Sequence, residues 1–94
     1  MTDSDNWWLY IIRTSGDQLY TGITNDVDRR FEEHRSNSPK TAKFLRGKGP
    51  LTLVFKQLIG SRSMALKMEY QIKQFSRSQK LDLINGKLKL EICE

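Results

Sequence analysis

Apolar and polar positions along this chain alternate in three short stretches and recur at helical spacing in three others. Trp7 to Arg13 (Trp-Trp-Leu-Tyr-Ile-Ile-Arg) is aromatic and β-branched, as suits a strand buried on both faces. Thr14-Ser15-Gly16-Asp17 reads as a turn, with Gly16 available for positive φ, and Gln18 to Ile23 as the returning strand of a hairpin. Leu51 to Ile59 alternates as a third strand, with Pro50 at its mouth and Gly60 as its end. Asn25-Asp26 offers an N-cap for a helix over Val27 to about Ser36, stopped by Asn37-Ser38-Pro39. Its apolar side carries Val27, Phe31 and His34, with Phe31 the expected core anchor and Arg30 at the edge. Thr41 to Arg46 is a candidate short helix, and Gly47-Lys48-Gly49-Pro50 a mobile basic loop. Ser61 or Ser63 caps a helix to about Phe75, and Ser76 or Ser78 caps another to Ile84, ended by Asn85-Gly86. Lys87 to Glu94 fits a short strand and a frayed end equally. The pattern predicts an α/β (α+β) fold: residues 1–94 as one domain, core about 7–84, with a three-stranded antiparallel sheet flanked by helices.

Two details of this pattern bear on chemistry. If the hairpin loop has an odd number of residues, as Thr14 to Gly16 would give, Tyr10 and Tyr20 share a face; a two-residue loop would separate them. Gly22 has the parity of Tyr20 and leaves open space there. On the later helix, Ala65, Met68, Ile72 and Phe75 form an apolar stripe, and Glu69 projects into the same arc. A carboxylate so placed needs a partner, either a divalent metal in a cleft or an arginine such as Arg30 or Arg62.

Composition narrows the class. Ninety-four residues is near the lower limit for a core without disulfides or metals. The one cysteine, Cys93, cannot bridge internally, which suits a reducing compartment. The acidic N-terminus is unlike a secretion signal, and no apolar run spans a bilayer, so the expectation is a cytoplasmic protein with no membrane partner. The net charge of +5 is concentrated between Arg29 and Lys48. Such a field attracts polyanions, nucleic acid above all, although a basic face can also serve solubility alone.

The order and spacing of Leu9-Tyr10-Ile11-Ile12, Tyr20-Thr21-Gly22, Arg30, His34 and Glu69 resemble the GIY-YIG nuclease superfamily, most closely its small single-domain bacterial branch, related to excision-repair and structure-specific endonucleases. The resemblance runs from Trp8 to about Lys80. An apolar residue replaces the first Gly of the first triplet, and Thr replaces Ile in the second, while both tyrosines are kept.

The resemblance implies divalent-metal-dependent hydrolysis of DNA phosphodiesters with low sequence preference, in DNA repair or processing. Arg30 would meet the charge of the transition state, and Tyr10 and Tyr20 would position the attacking water, with one accepting its proton if its pKa falls. His34 would activate a tyrosine or contact phosphate. Glu69 would hold a single Mg²⁺ or Mn²⁺ that arrives with substrate. Arg29, Arg35, Lys40, Lys43, Arg46, Lys48 and Lys73 would grip the flanking backbone, with Arg29 about 100° round the helix from Arg30 and so unable to share its aim. Trp7 and Trp8 are open between stacking on bases and packing in the core. The alternatives are a non-catalytic nucleic-acid-binding module, or a small basic protein that docks on RNA or on a repair complex; specificity is expected to come from a protein partner or from substrate shape.

Overall fold

Trp7–Arg13 (β1) is the middle strand of an antiparallel sheet, with Leu19–Thr24 (β2) on one side and Thr52–Gly60 (β3) on the other. That position accounts for its composition: a strand paired along both edges and covered on both faces buries Leu9, Ile11 and Ile12 completely. Three helices complete the predicted α+β architecture, Val27–Arg35 (α1), Arg62–Lys73 (α2) and Arg77–Ile84 (α3). The computed structural model describes residues 6–36 and 45–90, so Lys40, Lys43 and most of the expected Thr41–Arg46 helix lie outside the described residues. No helix among those described is long and apolar enough to cross a membrane.

Alternation along β1 feeds two cores, one on each face of the sheet. Leu9 and Ile11 pack with Ala65, Met68 and Ile72 of α2 and Leu83 of α3. Tyr10 and Ile12 face the other way, with Leu45 and Leu51, and are flanked by Tyr20, Phe31 and Leu53. The stripe expected on α2 is thus the buried one, although Phe75 falls beyond the helix end and is half-buried.

The hairpin turn corrects one expectation. Thr14 N–H donates to the Gln18 carbonyl at 2.9 Å and Asp17 N–H to the Thr14 carbonyl at 2.9 Å, so the loop proper is Ser15-Gly16-Asp17. Asp17, at φ 65°, takes the left-handed conformation in place of Gly16. A short acidic side chain tolerates that conformation, and its carboxylate accepts from Arg77 Nη2 of α3 at 2.9 Å. The loop is one residue later than predicted but still odd in length. Tyr10 therefore pairs with Gly22 and Ile12 with Tyr20, and the two tyrosines share a face.

Helix α1 starts where Asp26 caps it, its side chain accepting from Arg29 N–H at 3.1 Å. His34, 1% exposed, is the anchor of this helix, while Phe31 is only half-buried. The helical spacing fixed the inward face correctly, but the deep end of that face meets Tyr10 and the shallow part lies at the rim. Ser61 caps α2 through Met64 N–H at 3.2 Å. Ser76 and Gln79 form a reciprocal capping box on α3, with bonds of 3.2 and 2.9 Å. After Gly86 (φ 80°) the amides of Lys87 and Leu88 both donate to the Asp82 carbonyl, which hooks the tail back. No strand forms there through Leu90. The basic loop expected to be mobile is tethered, because the Lys48 carbonyl accepts from both N–H and Oγ of Ser15 at 3.1 Å.

Candidate active site

Tyr10 lies across the strand from Gly22, and its ring runs over that residue towards the open edge of β2. A β carbon at position 22 would sit 2.5 Å from the phenol oxygen and 2.6 Å from the carbon that bears it. The open space expected at Gly22 is therefore filled by the phenol of Tyr10. Glycine is the residue that lets this side chain lie flat on the sheet.

Three groups from α1 and β2 close around the phenol. His34 Nε2 is 3.1 Å from the Tyr10 hydroxyl. The Arg30 guanidinium donates to the same oxygen and, through Nη1, to Glu33 Oε1 at 3.0 Å. The Tyr20 ring stands 6.4 Å from that of Tyr10 and edge-on to His34 at 5.8 Å. Arg30 has only donors, whereas the phenol and the imidazole can each donate or accept, so the tautomer of His34 sets the direction of their bond.

Burial sets the protonation states. Tyr10 is pushed up to about 12, chiefly by burial and then by Tyr20, against the lowering influence of Arg30. It is a neutral phenol at pH 7, the opposite of the depressed pKa that a proton-accepting tyrosine needs. His34 is pushed down to about 4, first by burial and next by the positive charge of Arg30. Its imidazole is neutral at pH 7. Burial also works against the Arg30 guanidinium, but its bonds to Glu33 and Tyr10 leave its pKa raised. Glu33 is thus the residue that holds Arg30 in place, a role that its i, i+3 spacing made legible.

Glu69 arrives from α2, which packs against the opposite face of β1 and β2. Its carboxylate is one-fifth exposed and is still felt by the Tyr10 phenol, whose pKa it helps to raise. Its ion-pair partner is Lys73 at 3.4 Å, neither Arg30 nor Arg62. Arg62 instead stacks over the Trp7 ring at 5.5 Å. Beside them, at the free edge of β2, Leu19, Tyr20, Thr21, Lys73 and Lys80 line an open pocket of ≈ 270 Å³. The Thr21 side chain is buried, and its Oγ1 finds no hydrogen-bond partner among the described residues.

The remaining basic candidates lie apart from this cluster. Arg29 is exposed and bridges Asp26 at 3.7 Å and Glu33 at 3.9 Å, while Arg35 pairs with Glu32 through both Nε and Nη2. The arginines of α1 are thus largely balanced by acids of their own turn or helix. Arg46 is exposed and Lys48 half-buried on the loop tethered to the hairpin. Trp7 packs on the α2 core and Trp8 is half-buried with Lys56 Nζ 5.7 Å from its ring centre.

A divalent ion can be tested against these donors. No three His, Cys, Asp or Glu side chains gather to cage a metal among the described residues. A single accessible carboxylate fits a hard ion that keeps most of its waters and takes its remaining oxygens from a phosphate, and does not fit one held in store. Glu69, one-fifth exposed and paired with Lys73, is a carboxylate of that kind.

Comparison with known proteins agrees with the geometry. The UPF0213 protein YhbQ of Escherichia coli (strain K12) is 55% identical over 78 residues, which span 83% of this chain and 76% of that protein. A UPF0213 protein of Cronobacter sakazakii is 54% identical over 87 residues, covering 93% of this chain and 90% of its own. The solution NMR structure of a UPF0213 protein from Bacillus halodurans superimposes with a TM-score of 0.56 at 40% identity, over 86% of this chain and 84% of that one. The GIY-YIG catalytic domain matches residues 6–82, a span that takes in both tyrosines, Arg30, His34 and Glu69. On that match and on these small bacterial relatives, the chain belongs to the GIY-YIG catalytic domain family.

Proposed function

We propose that the chain hydrolyses phosphodiester bonds of DNA with the help of one divalent ion, Mg²⁺ or Mn²⁺, and with little sequence preference. The observation that carries this reading is the convergence of Tyr10, Tyr20, Arg30 and His34 on one oxygen-rich spot, with Glu69 within electrostatic reach. A guanidinium held on its far side by Glu33 and a neutral imidazole behind a neutral phenol suit a phosphate about to gain charge. The side chains on offer are cations and hydroxyls, which recognise backbone and read no bases. A part in DNA repair or processing, in the cytoplasm, belongs to the same proposal.

Arg30 binds the non-bridging oxygens of the scissile phosphate and orients it. The phosphate offsets the positive field that depresses His34, so the imidazole gains basicity when substrate is seated. Water attacking phosphorus then passes a proton to the Tyr10 oxygen as Tyr10 passes its own to His34 Nε2. Tyr10 acts as a relay and stays neutral, in keeping with its raised pKa. Tyr20, half-buried and nearer the open edge, orients the water. Glu69 would hold the ion, which would supply Lewis-acid stabilisation of the departing oxygen.

The test is cleavage of labelled single-stranded, duplex and branched DNA, and of RNA, by the purified chain with Mn²⁺ or with EDTA. Glu69→Gln and Arg30→Ala should each lower metal-dependent cleavage by at least ~100-fold, about 3 kcal/mol of barrier, with binding in EDTA largely kept. Variants that alter affinity alone make this a binding module and remove the enzyme.

A further inference from the structure

The charge that could hold a nucleic-acid strand is distributed differently from the linear sequence. On α1, Arg29, Arg30 and Arg35 are engaged by Asp26, Glu33 and Glu32. On the other side of the cluster, Lys80 is half-buried on α3, and among the described residues no carboxylate lies within ion-pairing distance of it. Lys80 lines the ≈ 270 Å³ pocket that also takes in Tyr20 and Lys73, and a lysine half-covered in this way keeps its charged head available to an anion.

The fold aims this lysine. Arg77 and Lys80 stand three apart on α3 and so share a helix face. Arg77 grips Asp17 in the hairpin turn at 2.9 Å, so that face is turned to β2. Lys73 enters the same pocket from the last turn of α2, tied to Glu69 at 3.4 Å. The pocket is open, lies on the free edge of the sheet, and is continuous with Tyr20.

We infer that this pocket seats the backbone phosphate next to the one being cut, with Lys80 as its principal cation and Lys73 as the link to the Glu69 side. The inference rests on the function proposed above and gives it a strand path: along the edge of β2, between Tyr20 and α3, and not over the acid-balanced face of α1. Lys80 binds and positions the strand without touching the reacting atoms. Phosphate is the group recognised, because the two charged residues that line the pocket are both lysines and no acid among the described residues lines it.

The experiment measures binding of the full chain in EDTA to a fluorescent single strand and its duplex over a range of salt. Lys80→Gln should weaken binding roughly five- to tenfold at low salt and lower the slope of log affinity against log salt by about 0.7 to 0.9, the signature of one lost phosphate contact. Lys80→Arg should keep both, and Lys87→Gln, at an exposed position outside the pocket, should change neither. Unchanged slope in Lys80→Gln, or an equal loss in Lys80→Arg, overturns the subsite and leaves the nuclease reading standing. Metal-independent binding with no cleavage of any strand overturns the nuclease reading while the phosphate contact survives; no binding at all overturns both.

Discussion

The Tyr10 hydroxyl lies where a side chain at Gly22 would be, 2.5 Å from the position of its β carbon. A methyl group there cannot be accommodated by a small rotation, since the ring carbon is as close as the oxygen. Gly22→Ala should therefore drive the phenol off the sheet, away from His34 and Arg30. The expected result is a loss of ~1–3 kcal/mol in urea unfolding from overpacking, with cleavage abolished. Tyr10→Phe shares the clash-free backbone and should be stable but slow, which separates the packing effect from the chemical one.

Protonation of His34 opposes folding. Its folded pKa of about 4 is below the ordinary 6.5, so between those values the unfolded chain binds more protons than the folded one. The stability from this group is complete above pH 6.5 and is lost as pH falls towards 4, on the order of 3 kcal/mol over the window. Thermal midpoints measured from pH 7 to pH 4 should decline, and His34→Gln should flatten that part of the profile. An unchanged slope in the variant places the acid sensitivity elsewhere.

Arg30 and its neighbour Arg29 offer a sharp internal contrast. Arg30 is held between Glu33 and the Tyr10 oxygen, whereas Arg29 is exposed against Asp26 and Glu33. Arg30→Lys keeps the charge but loses the planar fork, and kcat should fall by ~100-fold or more. Arg29→Lys should leave kcat within about twofold, as for a surface change. Equal losses from the two would show that α1 works through bulk charge.

Thr21 is buried, and its hydroxyl has no partner among the described residues. Thr21→Val replaces that hydroxyl by a methyl of the same shape and retains β-branching. It should stabilise the chain by about 1 kcal/mol, read as a rise of roughly 4–8 °C in Tm. A fall in Tm would reveal a bond to that hydroxyl in solution.

Much of this architecture is written in local patterns. The strands, the caps at Asp26, Ser61 and Ser76, and the stripe Ala65–Met68–Ile72 depend on neighbours within one element, and they are legible for that reason. The shared face of Tyr10 and Tyr20 needed only the parity of a loop. What the pattern missed depends on depth and on contacts between elements. His34 exceeds Phe31 in burial because the wall facing α1 is deepest at Tyr10. Asp17 takes the left-handed turn position beside an arginine sixty residues away. Glu69 finds Lys73 one turn along its own helix, a pairing the spacing allowed but the search for an arginine passed over. The count of positive charges between Arg29 and Lys48 also hid how many are already balanced.

The reactive groups come from two separate lengths of chain. Phenols, guanidinium and imidazole lie within β1, β2 and α1, while the carboxylate waits on α2, beyond β3. On the proposed reading, the groups that meet the scissile phosphate precede in the chain the acid that would recruit a metal, while Lys73 and Lys80, which hold the next phosphate, follow it. Because the acid-bearing helix also brings Ala65, Met68 and Ile72 to cover Leu9 and Ile11, the step that completes this core is the same step that delivers the carboxylate.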